Sequence, residues 1–154
     1  MKPNGTLITS EFTTFARHHF KLDWHGIHGA PHWARVRRNG LRLAKTEGAN
    51  ARVIEYFAFT HDLCRKDDFV DPYHGQRAAE LVSKLNGKLI FLNDHELGLL
   101  QEACTHHSDG LTDADVTVQC CWDADRLDLP RVGVRVNPAR LCTNSAVLLC
   151  KTYI

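Results

Sequence analysis

The chain has 154 residues, 44% of them apolar and 24% charged, which is enough for one domain with a real core and too short to expect two. Its 19 basic and 18 acidic residues leave a formal net charge of +1, so charge gives no reason to expect a nucleic-acid or membrane partner. The start, Met1-Lys2-Pro3-Asn4-Gly5-Thr6, lacks the apolar run of a signal peptide, and no stretch approaches the ~20 apolar residues needed to span a bilayer; the expected location is the cytoplasm.

Taken in chain order, the pattern is helical almost throughout. A first helix is expected after Ser10, with Phe12, Phe15, Ala16 and Phe20 along one side. A turn follows at Gly26 to Gly29, and Pro31 suits the first turn of a second helix, where its missing N–H costs nothing. That helix should run to about Thr46 and stop at Gly48. A third is expected over about Asn50 to Leu63 and a fourth over about Asp71 to Leu85, closing at Asn86-Gly87. The segment Lys88 to Leu92 reads equally as a short strand or as the apolar entry to a helix. Asn93 or Asp94 can cap a fifth helix that ends before Asp109-Gly110, and Asp113 can cap a sixth through about Leu127. The tail from Asn137 holds Pro138 and one further short helix. The expected fold class is therefore all-α, a compact single-domain helical bundle.

Six cysteines stand at 64, 104, 120, 121, 142 and 150 with no C-x-x-C pair, so they read as buried small hydrophobes or free thiols. The ten histidines are more unusual, and all of them precede Ser108. Several fall on the apolar stripe of a predicted helix. Ile54, Phe57, Ala58 and His61 share a face of the third helix; His74, Ala78, Leu81, Val82 and Leu85 share one of the fourth. Leu100, Ala103 and His107 do so in the fifth, Val118, Cys121, Trp122 and Asp125 in the sixth, and His32 precedes Val36 by one turn in the second. A single such histidine is ordinarily a hydrogen-bonded core residue. Five helices each aiming an ionisable group at one core need a compensating charge, which a divalent cation supplies. Imidazole and carboxylate suit Mn, Fe, Co, Ni or Zn, with Mg also open. His61 and Asp62 point about 100° apart on a regular helix, so both can reach one ion only near a helix end or from two sides of a site.

The order His32 … His61-Asp62 … Asp125 resembles the HD-domain superfamily of metal-dependent phosphohydrolases. His32-Trp33-Ala34-Arg35-Val36 is similar to the first-histidine motif, Phe57 to Asp62 to the apolar run into the His-Asp doublet, and Asp123-Ala124-Asp125-Arg126-Leu127-Asp128 to the last-aspartate motif. The similarity spans about residues 28–130, with the whole chain, 1–154, read as one HD-type domain. It implies a divalent metal held by His32, His61, Asp62 and Asp125. His74 and His107 stand where some members bind a second metal, so one or two ions are expected. Asp123 is the alternative to Asp125, and His28 the alternative to His32; the Ala-Asp-x-Leu context and the following Arg-Val favour Asp125 and His32.

The resemblance implies hydrolysis of a phosphate ester, on a nucleotide or a similar small metabolite, by a water that the metal activates. Asp62, Arg65 and Asp68 are the candidate catalytic residues, with Asp67 the alternative to Asp68 as base, and Arg35, Lys66 and Arg126 the candidate substrate contacts, with Arg65 the alternative to Lys66 for phosphate, since phosphoryl charge needs cations. A di-iron oxygenase of the same superfamily and a non-catalytic metal- or nucleotide-binding module are the alternatives, and a homo-oligomer stays open. Trp24, Trp33 and Trp122 could stack on a base, although core packing suits at least Trp122. No G-x-x-x-x-G-K-[ST] loop and no G-x-S-x-G elbow is present.

Overall fold

The computed structural model describes residues 6–152. Among them are seven α-helices: α1 (Ser10–His19), α2 (Ala30–Glu47), α3 (Ala51–Thr60), α4 (His74–Leu85), α5 (Asp94–His106), α6 (Val116–Arg126) and α7 (Asn144–Thr152). Two 3₁₀ turns, Leu129–Val132 and Pro138–Arg140, interrupt the connection between α6 and α7. The chain is all-α, as its patterning requires, and none of the described helices is long and apolar enough to cross a membrane.

Local chemistry sets most boundaries. Thr9 caps α1 by accepting from the Phe12 amide, and Pro31 lies in the first turn of α2. Gly48 ends α2 at φ 72, the left-handed conformation that glycine adopts without strain. Asn93 and Glu96 form a reciprocal capping box at α5.

Three boundaries and one segment differ from expectation. Helix α3 stops at Thr60 rather than Leu63, because the chain tightens into a turn in which Leu63 N–H donates to Thr60 and Arg65 N–H to Asp62. Helix α4 starts at His74 rather than Asp71, because the Asp71 carboxylate closes the preceding loop by accepting from Lys66 N–H at 2.8 Å and from Arg77. Asp115 rather than Asp113 caps α6; it accepts from Thr117 N–H at 2.8 Å, whereas Asp113 lies two residues too early to reach that amide. The segment expected as a short strand or helix entry is instead a turn over residues 87–89, closed by one isolated bridge from Asn86 to Ile90.

Helix α2 packs on α3 and α6, and α4 packs on α5. Gly40 permits the first contact: a Cβ there would stand 2.4 Å from Ile54 Cγ2. Gly75 permits the second, since a Cβ there would stand 2.4 Å from the Cys104 carbonyl oxygen. The core between these helices holds Trp33, Val36, Leu43, Ile54, Phe57, Leu100 and Trp122, all essentially without solvent contact. Trp33 also packs edge-on against Phe20 and Trp24, and its Nε1 donates to the His28 carbonyl at 2.8 Å, which pins the turn before α2. All six cysteines are free.

Candidate metal centre

The ends of five helices meet at one point in this core. His32 lies in the first turn of α2, His61 and Asp62 just past α3, His74 at the start of α4, His107 just past α5, and Asp125 in the last turn of α6. The early end of α3 explains how adjacent residues face the same place: the chain leaves helical spacing at the doublet, so both side chains turn inward. His32, His61, Asp62, His74 and His107 are buried.

Their polar atoms converge in two halves that share Asp62. On one side, His32 Nε2 lies 3.1 Å from His61 Nε2, 3.5 Å from Asp62 Oδ2 and 3.3 Å from Asp125 Oδ1. His61 Nε2 is 3.5 Å from the same Asp62 oxygen and 3.7 Å from Asp125 Oδ1. On the other side, His74 Nε2 lies 2.8 Å from His107 Nε2, and the two are 3.3 Å and 3.5 Å from Asp62 Oδ1. The groups His32–His61–Asp62, His61–His107–Asp125 and Asp62–His74–His107 each keep their ligand atoms within 4.8 Å of one another and could hold a metal ion.

The hydrogen bonds behind the rings say which nitrogen is free. His32 Nδ1 faces Asp128 Oδ2 at 2.7 Å, His61 Nδ1 the Phe57 carbonyl at 3.1 Å, and His107 Nδ1 the Cys104 carbonyl at 2.7 Å. His74 Nδ1 faces the Asp71 carbonyl. All four partners only accept, so each Nδ1 carries the proton and each Nε2 turns a lone pair inward. Two pairs of inward lone pairs at about hydrogen-bond distance, beside two carboxylates, repel one another unless a proton or a cation lies among them. This donor set fits a divalent cation, with imidazole tautomers fixed by acceptors behind the rings as ligating histidines require.

Electrostatics agree. Burial pulls the His61 imidazole down to about 3, so it stays neutral. Burial also opposes charge on His32 and His107, yet their values end above the ordinary one, through Asp125 and Asp128 for His32 and through Asp62 for His107. Burial works against ionising Asp62 and Asp125, and the surrounding histidines more than reverse it, leaving both well below the usual carboxylate range. Two carboxylates thus stay charged in a buried pocket, and a cation there competes with the protons on His32 and His107.

A cavity of about 530 Å³ opens onto this cluster through Asp62, His107 and Asp125. Five arginines line it: Arg65, Arg126, Arg131, Arg135 and Arg140. Arg65 donates to Asp62 Oδ1 at 3.1 Å and to the Asp67 carbonyl, joining the cavity wall to the shared carboxylate. Arg126 also lines the cavity, with its guanidinium given to the carbonyls of Arg140 and Leu111. Arg35 lies behind the cluster, where its Nε donates to Asp128 Oδ1 at 2.7 Å. Lys66 lines a different cavity, with His19, Cys64 and Arg77. Asp68 reaches the site through His28: its Oδ1 accepts from His28 Nδ1 at 2.8 Å, and His28 lines the main cavity. Asp123, the alternative to Asp125, faces away and accepts from Cys142 N–H, Thr143 N–H and the Thr143 hydroxyl at 2.7–2.8 Å.

Sequence reasoning assigned no role to Asp128, Arg131, Arg135 or Arg140. For Asp128 a signal existed, because it follows Asp125 by three residues, close to one helical turn. The arginines lie in an irregular connection where periodicity carries no information. No protein-family model, no curated protein and no solved structure matches the chain.

Asp128 accepts from His32 on one oxygen and from Arg35 on the other. Replacing it with asparagine removes the charge that holds the His32 ring and its tautomer. Metal affinity should fall roughly 10- to 100-fold, the usual cost of losing a carboxylate behind a ligating histidine. Titration with a competing chelator measures it; unchanged affinity would remove Asp128 from the account.

Proposed function

We propose that the chain binds two divalent metal ions and hydrolyses a phosphate ester of a small metabolite. His32, His61, Asp125 and Asp62 Oδ2 would hold one ion, and His74, His107 and Asp62 Oδ1 the other. The observation that carries this reading is the arginine-lined cavity opening directly onto the buried histidine–carboxylate cluster. The resemblance to HD-domain phosphohydrolases points the same way.

When bound, the metal supplies Lewis-acid activation of water and of the phosphoryl group near neutral pH. The chain's own residues supply the rest. Arg65 fixes the Asp62 carboxylate and stands at the cavity wall, where it can meet a phosphoryl oxygen. Arg126 and Arg131 already donate to backbone carbonyls, so their contribution is a fixed positive field that favours developing phosphoryl charge. Asp68 holds His28 Nδ1, which leaves His28 Nε2 as the atom able to exchange a proton with groups in the cavity. Asp68 thus acts as a positioning residue, and Arg35 serves the metal cluster through Asp128.

Phosphate release from a broad panel of esters tests the proposal. The protein is stripped with chelator and reloaded with Mn, Co, Ni, Fe, Zn or Mg. Release that vanishes on stripping and returns with at least one of these ions is the expected result. Bound metal with no release from any ester overturns the hydrolase reading, and substrate-dependent oxygen uptake by the iron form would replace it with an oxygenase.

A further inference from the structure

The cavity carries more positive charge than one phosphate uses. Among the described residues Asp62 and Asp125 are the only carboxylates on its wall, both belong to the His/Asp cluster, and five arginines line it with them. Arg65, Arg126 and Arg131 give their guanidinium groups to acceptors of the protein itself. Arg135 and Arg140 do not: both are exposed, and neither guanidinium has a hydrogen bond or ion pair among the described residues. Arg140 is nevertheless placed, because its Nη1 lies against the Gly110 turn, three residues beyond His107; a Cβ on Gly110 would stand 3.5 Å from it.

The rest of the wall narrows the ligand. Leu129, Val132, Val134, Val136 and Leu141 give it an aliphatic side. Among the described residues no Trp, Tyr or Phe lines it: Trp33 packs with Phe20 and Trp24, and Trp122 is buried with Nε1 on the Ala103 carbonyl. The unpartnered arginines come from the connection after α6, whereas the groups of the His/Asp cluster come from the helix ends, so different elements of the fold supply the two.

We infer that Arg135 and Arg140 form a second anion subsite, and that the substrate is a compact molecule with two anionic groups, one phosphoryl group at the metal cluster and the other at these arginines. This rests on the hydrolase reading for the first group only; the second subsite is a binding property and is read without turnover.

The test is calorimetric binding of a hexose bisphosphate and its matched monophosphate to the metal-loaded protein, in the native chain and in the Arg135→Ala/Arg140→Ala double variant. The expected result is that the bisphosphate binds about tenfold tighter or more in the native chain, as charge-assisted bidentate contacts allow. In the double variant that ratio should fall to about one while monophosphate affinity changes little. Neither guanidinium has a protein partner to lose, so the variant should fold normally. Equal affinities in the native chain, a ratio untouched by the double substitution, or no binding of either sugar phosphate would overturn the subsite. Discrimination without hydrolysis of either compound would leave the subsite standing and defeat the hydrolase reading; hydrolysis without discrimination would do the reverse.

Discussion

Replacing Asp62 with alanine is expected to empty both metal positions together and to abolish phosphate release. Its two oxygens face different histidine pairs, Oδ2 toward His32 and His61 and Oδ1 toward His74 and His107. Each position would lose its shared anion, leaving neutral imidazoles and, on one side only, Asp125. On the proposed hydrolase reading a bound metal would contribute several kcal/mol of transition-state stabilisation, so the rate should drop on the order of 10³-fold or more. His74→Ala is the informative partner, because it touches one half alone and should remove one ion while the other stays. Metal analysis of both variants, with far-UV circular dichroism to confirm folding, separates the outcomes. If Asp62→Ala kept a full metal complement, the carboxylate would not bridge the halves.

Asp123 is expected to matter for a different reason. It is fully buried, and its carboxylate accepts from three donors at the start of α7: the amides of Cys142 and Thr143 and the Thr143 hydroxyl. Substituting alanine leaves these donors without their acceptor at a cost of about 1 kcal/mol or more apiece, roughly 3 kcal/mol together. For a chain of this size that lowers Tm on the order of 10 °C. Metal affinity should barely change, since Asp123 makes no contact with the cluster. Asp125→Ala should invert the pattern, with a large loss of affinity and a small change in metal-free Tm. Thermal melts of both variants with and without metal measure the contrast, and a metal-binding defect in Asp123→Ala would merge the two roles that the structure separates.

Much of this was legible in the sequence because helical periodicity reports on burial. His32, His61, His74, His107 and Asp125 were placed on core-facing stripes by spacing alone, and the structure brings them together with Asp62. The doublet at His61-Asp62 demanded a helix end, and α3 ends just before it. Choosing Asp125 over Asp123 rested on motif context; the structure adds the physical reason, which is that Asp123 is committed to holding α7. Other features were not legible. Arg35, Lys66 and Arg126 were linked to substrate by closeness in sequence to the ligands, but such closeness fixes neither direction nor partner. Arg35 turns to Asp128, Lys66 to a separate cavity, and Arg126 to backbone carbonyls at the cavity wall. The cavity's far side comes from residues 129–141, mostly turns and irregular chain, where no period exists to read. In the sequence His28 stands out only as a rival ligand, because its partner Asp68 lies 40 residues away and the contact depends on tertiary packing.

On the proposed reading two metal ions share Asp62. Metal analysis of the purified, reloaded protein, joined to diffraction at the absorption edge of the loaded ion, tests it most directly. The expected result is two ions per chain, one among His32, His61 and Asp125 and the other between His74 and His107, with one Asp62 oxygen toward each. An ion bound elsewhere, at the free cysteines for example, or a cluster that stays empty in excess metal, would contradict it.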